Sequence, residues 1–192
     1  MAKPDTAKLK KLVLLARDLR AGEHFEITRL TALKSWCQDP VAAGRFAFHL
    51  AERSKGRASR KYKPLITNAL RQMKKHLADP EKQAGAGLRD ALRELEDAQS
   101  EYRNSRWGRV RTIDCREALL AEDAVRCVLR PWESAHWGYQ AARQYAERYN
   151  PRYGTGLIPE SANAVEDIVT YWAQVQFGEQ ASRMLAEFEQ SG

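Results

Sequence analysis

Apolar residues recur at three- and four-residue spacing along nearly the whole 192-residue chain, and that period admits few folds. A helix lines up residues three and four apart on one face, whereas a strand alternates every second residue. Leu9, Leu12, Val13, Ala16 and Leu19 follow the helical rule, with Lys8, Lys10, Lys11 and Arg17 facing away. Leu65, Ile66, Ala69, Leu70, Met73 and Leu77 repeat it, as do Leu88, Ala91, Leu92, Leu95, Ala98 and Tyr102. Period-two alternation is confined to HFEI at 24–27 and RVRTI at 109–113. The expected fold is therefore all-α: a single-domain helical bundle of seven or eight helices across 1–192, with little or no β structure. A subdivision is allowed near 105–113. At this length folding buries roughly 70% of the unfolded surface, so the core needs no disulfide or metal support.

Punctuating residues set the expected boundaries. A first helix covers 6–20, with Gly22 just beyond it. A short second helix follows Thr28, turning Leu30, Leu33, Trp36 and Cys37 inward. Asp39-Pro40 reads as an N-cap followed by proline at the first helical position, opening a helix at 40–54. Pro64 opens another at 64–78. Asp79-Pro80 repeats the device and starts a helix running to about 104, whose first turns Gly85 and Gly87 loosen. Its outer face pairs Arg93 with Asp97. Asp114 and Glu117 fit a capping box for 115–129. Pro131 opens 131–149, a Pro- and Gly-rich loop covers 150–159, and a last helix spans 160–189 with a break allowed at Gly178.

Several function classes recede on inspection. No apolar run reaches the length of a membrane span, and the basic, amphipathic start lacks a signal cleavage site. A cytoplasmic protein with no membrane partner is expected. Cys37, Cys115 and Cys127 are odd in number and widely spaced, which suits buried free thiols in a reducing compartment. Neither a nucleophile elbow, nor a P-loop, nor a zinc-protease helix motif occurs. The carboxylates show no isolated apolar pair of the kind that shifts acid–base behaviour. The chain reads as non-enzymatic, with no catalytic residue and no cofactor. Glu133-Ser-Ala-His136 is half of a di-metal bundle motif, but Ala21, Phe46 and Met73 precede the other histidines by three, so no metal site is expected.

Charge supplies the strongest pointer to a partner. Residues 1–76 hold 18 Lys and Arg against 6 Asp and Glu, while 77–192 hold 14 against 19. Two clusters stand out. In 53–63, Arg53, Lys55, Arg57, Arg60, Lys61 and Lys63 are cationic, no residue is acidic, and Gly56 suits a loop that follows a phosphate chain. The following helix extends the surface through Arg71, Lys74 and Lys75. In 103–111, Arg103, Arg106, Arg109 and Arg111 surround Trp107. Guanidinium forks match phosphate oxygens, and an exposed indole stacks on an unpaired base. The leading expectation is a binding protein that engages nucleic acid through phosphate contacts.

Other arrangements fit parts of the sequence. The 28–54 helix pair has the outline of a helix-turn-helix with Arg45, His49 and Arg53 on the second helix, although Phe46-Ala-Phe48 argues for a core role. The acidic stretch 161–192 has one cation, Arg183, against Glu166, Asp167, Glu179, Glu187 and Glu189. It could meet a basic partner or a second copy, giving a protein-interaction or self-assembling subunit. The aromatic-rich 131–153 segment, with Trp132, His136, Trp137, Tyr139, Tyr145, Tyr149 and Tyr153, offers a ligand- or metal-binding bundle around Trp132, Glu133 and His136. Dense core packing is the expected state of those aromatics.

Overall fold

The computed structural model describes residues 5–20, 31, 33–79, 85–103, 115–148, 158–178 and 180–191. Among the described residues there are eight α-helices and no strand: α1 (Thr6–Arg20), α2 (Pro40–Ser54), α3 (Lys63–Ala78), α4 (Ala86–Arg103), α5 (Arg116–Leu129), α6 (Ser134–Arg148), α7 (Ile158–Phe177) and α8 (Ala181–Gln190). Short 3-10 turns cover Lys55–Arg57 and Pro131–Glu133. The all-α bundle read from the periodicity is the observed fold. Both strand-like segments, at 24–27 and 109–113, lie outside the described residues.

Local chemistry explains most boundaries. Asp39 caps α2 by accepting from the Val41 and Ala42 N–H groups at 3.0 and 3.3 Å, and Pro40 occupies a position whose N–H would have no helical partner. Gly178, at φ 84°, separates α7 from α8, so the last expected helix is two. Asp79-Pro80 departs from its look-alike: Asp79 closes α3, donating its backbone N–H to the Lys75 carbonyl. Helix α4 begins only at Ala86, after Gly85 at φ 65°. Of the expected second helix the structure describes residue 31 and residues 33–38, the latter a 3-10 segment followed by a turn; its start lies outside the described residues. Asp114 of the expected capping box lies outside the described residues.

Helix α2 is the centre of the molecule, packing on α3, α5, α6 and α7. Its inner face carries Ala42, Ala43, Gly44, Ala47 and Ala51, and small residues recur at Ala118, Ala121 and Ala124 of α5 and Ala141, Ala142 and Ala146 of α6. Small side chains let helix axes approach closely. At Gly138 of α6 even a methyl group has no room, since an added Cβ would sit 2.8 Å from the Cys37 sulfur. Larger groups fill the flanks: Phe46 and Trp172 meet edge to face at 5.1 Å, and Trp36 meets Trp172 at 5.9 Å. Helices α3, α4 and α5 pack together on one side of α2, and α1 and α8 pack on α7.

All three cysteines are buried, and none forms a disulfide. Burial, with Cys127 close by, raises the Cys37 thiol well above its ordinary range. Burial beside Asp123 pushes Cys127 up to about 12. Neither is a thiolate near neutral pH, so both behave as small apolar groups.

Candidate nucleic-acid interface

The first basic cluster straddles the corner between α2 and α3, and its members divide by what they meet. Arg53 ends α2 and approaches Asp167 of α7 at 4.0 Å. Tyr171, Asp167 and Tyr145 together raise its pKa further. Lys55 closes on Glu52 at 2.6 Å, one turn back. Both of these cations have a carboxylate beside them. Lys61 lies over the Tyr62 ring at 5.5 Å, and Arg57 is exposed on the 3-10 turn. Arg60 and Lys63 are exposed with Pro64, Thr67, Asn68 and Arg71 around a shallow groove of about 540 Å3.

Helical geometry makes this groove continuous with the rest of α3. Lys63, Thr67, Arg71 and Lys74 follow one another at intervals of four, four and three, so they share the solvent face. The opposite face buries Ile66, Ala69, Leu70 and Met73. Helix α3 contains no acidic residue. Its groove end is also the N-terminal end, where unpaired N–H dipoles favour an anion. Arg71 donates to Asn68 Oδ1 at 2.8 Å, and Asn68 donates to Glu94 of α4 at 3.2 Å. That chain fixes the side chains and marks where the basic face gives way to the acidic α4.

The second cluster lies mostly outside the described residues. Arg103 is the last residue of α4, while Arg106, Trp107, Arg109 and Arg111 lie outside the described residues. The helix-turn-helix outline does not suit α2. His49 stacks on Tyr171 at 5.7 Å, and burial in that stack lowers its pKa against an opposing pull from Glu52. A helix packed against four others has little face left for a groove.

In the aromatic segment Tyr145 is buried and Trp137 and Tyr139 are half-buried. Trp132 departs from the expected packing, standing 77% exposed on the turn before α6. Tyr149 and Tyr153 lie outside the described residues. Glu133 accepts from the Trp137 indole at 2.7 Å and from Arg130 at 3.3 Å, contacts that lower its pKa. Among the described residues no three His, Cys, Asp or Glu side chains gather to hold a metal ion.

Sequence reasoning missed two constellations. Tyr145 donates to Asp167, which also faces Arg53, joining residues from α6, α7 and α2 that no local spacing connects. The second is inside α5, where Glu117, Glu122 and Asp123 are all buried. Arg126 reaches Glu122 at 2.5 Å, Glu96 of α4 at 2.8 Å and Asp123 at 3.9 Å, and lies over the Trp137 ring at 4.8 Å. Gln99 donates to Glu122 as well. Burial, then repulsion from Glu122, pushes Asp123 up to about 7, against the pull of Arg126 and Arg143. A buried carboxylate with shifted acid–base behaviour, Asp123 beside Glu122, therefore exists, contrary to the sequence expectation. The signal was Glu122-Asp123 set between Leu-Leu-Ala and Ala-Val.

No protein-family model, curated protein or solved structure matches the chain. Function must then be argued from its own geometry. Among the described residues no helix is long and apolar enough to cross a membrane.

Proposed function

We propose that the protein binds nucleic acid, without catalysing a reaction, by laying the phosphate backbone along the α2–α3 corner and the solvent face of α3. The observation that carries this reading is the groove of Arg60, Lys63, Thr67, Asn68 and Arg71, which presents cations, a hydroxyl and an amide but no carboxylate. Such a surface recognises charge spacing rather than base sequence, because none of these groups is set to read a base edge. Arg53 and Lys55 contribute less than their positions in the sequence suggest, since each already faces an acidic side chain. Arg60, Lys63, Arg71 and Lys74 are the residues on which affinity depends.

Fluorescence anisotropy with labelled single- and double-stranded oligonucleotides at stepped salt concentrations tests the reading. Four phosphate contacts give a log–log salt slope of about −3 to −4 on duplex DNA. Folded protein that binds neither oligonucleotide at low salt sinks the proposal.

Exposed Glu166 and Glu187 favour a second reading, in which the acidic α7–α8 region meets the basic face of another copy or of a protein partner. Light scattering at low and high salt separates the two, because a monomer at every ionic strength counts against self-assembly.

A further inference from the structure

A second concavity, sharing no lining residue with the basic groove, lies between α1, the turn at 33–39 and α7. Its volume is about 570 Å3, within the 300–1,000 Å3 typical of small-molecule sites. We propose that it binds an organic anion with an apolar ring or chain. The apolar body rests on Leu14 and Trp36, and the anionic head meets Lys8 and Lys11.

The chemistry of the lining selects that class. Leu15 and Trp172 are buried and Trp36 is half-buried, so the inner wall is apolar and aromatic. Lys8 and Lys11 stand one turn apart on α1, both exposed, and neither forms an ion pair among the described residues. Among the described residues Asp39 is the one carboxylate in the lining, so the two lysines leave the site with a surplus of positive charge. Two cations at the rim beside the apolar surface of Leu14 and Trp36 fit an amphipathic carboxylate, sulfonate or phosphate ester better than a neutral or cationic molecule.

Anilinonaphthalene sulfonate, with fused rings and one sulfonate, is a suitable probe. Titration should give saturable one-to-one binding with blue-shifted emission, weakened by added salt. The variant K8Q/K11Q should weaken it about tenfold or more, and Ser35→Trp, which fills the cavity from an exposed position, should abolish it. Arg71→Glu, outside the lining of this cavity, should bind the probe as the parent does. Circular dichroism and an unchanged Tm establish that each variant is folded. Absence of saturable binding, parental affinity in both K8Q/K11Q and Ser35→Trp, or a loss in Arg71→Glu would each overturn the proposal.

Discussion

Helices α3 and α5 pack against each other yet treat charge in opposite ways. On α3 the charges are all positive and face solvent, at Lys63, Arg71, Lys74 and Lys75. On α5 both signs occur and three acids are buried, two of which, Glu122 and Asp123, are tied together through Arg126. The difference is one of surroundings. Helix α3 has one apolar stripe and lies at the edge, so its polar face stays in water. Helix α5 meets α2, α3, α4 and α6, which leaves its charged residues no route to solvent except through one another. Charge on the edge helix is available to a partner, and charge on the enclosed helix is committed to the fold.

Removing the centre of the enclosed network should have the largest effect. Arg126→Ala strands Glu122 and Asp123 inside the bundle, and the expected loss is roughly 3 kcal/mol of unfolding free energy in urea. The value sits at the lower end for buried pairs because Arg126 keeps 21% of its side-chain surface exposed. Oligonucleotide affinity per folded molecule should not change. A loss below about 0.5 kcal/mol would place Arg126 among ordinary surface residues and dissolve the contrast with α3.

The pH dependence of stability sharpens the same contrast. Asp123 holds its proton more tightly folded, near pH 7, than unfolded, near 3.8. The folded state therefore binds more protons between those values. Its contribution is fully present below about pH 4 and is lost as pH rises through about 7, with a limiting slope of about 1.4 kcal/mol per pH unit. Asp123→Asn should flatten that part of the curve and be the more stable protein at pH 8, judged by urea midpoints of the two across pH 4–8. Parallel curves would show that Asp123 titrates normally.

A smaller loss is expected at the α6–α7 contact. Tyr145→Phe removes the hydroxyl that donates to Asp167 and leaves Arg53 as its partner. The cost is about 1.5 kcal/mol, as for a hydrogen bond to a charged group. Thermal denaturation reads it, and an unchanged Tm would mean that Arg53 alone satisfies Asp167.

Smallest in stability is the surface itself. Charge reversal at Arg71 or Lys74 should move unfolding free energy by no more than about 0.5 kcal/mol while weakening oligonucleotide binding several-fold. A variant that unfolds would show that α3's cations belong to the fold after all.

What the sequence revealed tracks how local the cause was. Helices α1, α2 and α3 lie within a residue of their expected spans because an apolar stripe and the Asp39-Pro40 cap are local features. The start of α4 was misread because Asp79-Pro80 has the same local form as Asp39-Pro40, while Asp79 serves as the end of α3. Arg93 lies 3.9 Å from Asp90 rather than pairing with Asp97, two choices that spacing on a helix hardly separates. Of the site, the exposure of Arg71 and Lys74 was legible from helical period, and that of Arg60 and Lys63 from the polar, basic run at 54–63. The withdrawal of Arg53 toward Asp167 was not, since the two are far apart in sequence and meet only when α7 packs on α2. Trp132 and Trp172 make the same point: the buried indole and the exposed one are alike in composition and differ only in where the bundle puts them.

The salt dependence of oligonucleotide binding by the parent and by R60E/R71E/K74E tests most directly whether the edge helix is the binding surface. The parent should bind at low salt with a log–log slope of about −3 to −4, and the folded triple variant should lose binding with its slope near zero. Equal slopes and affinities for both proteins would contradict the assignment of α3 as the phosphate-binding face.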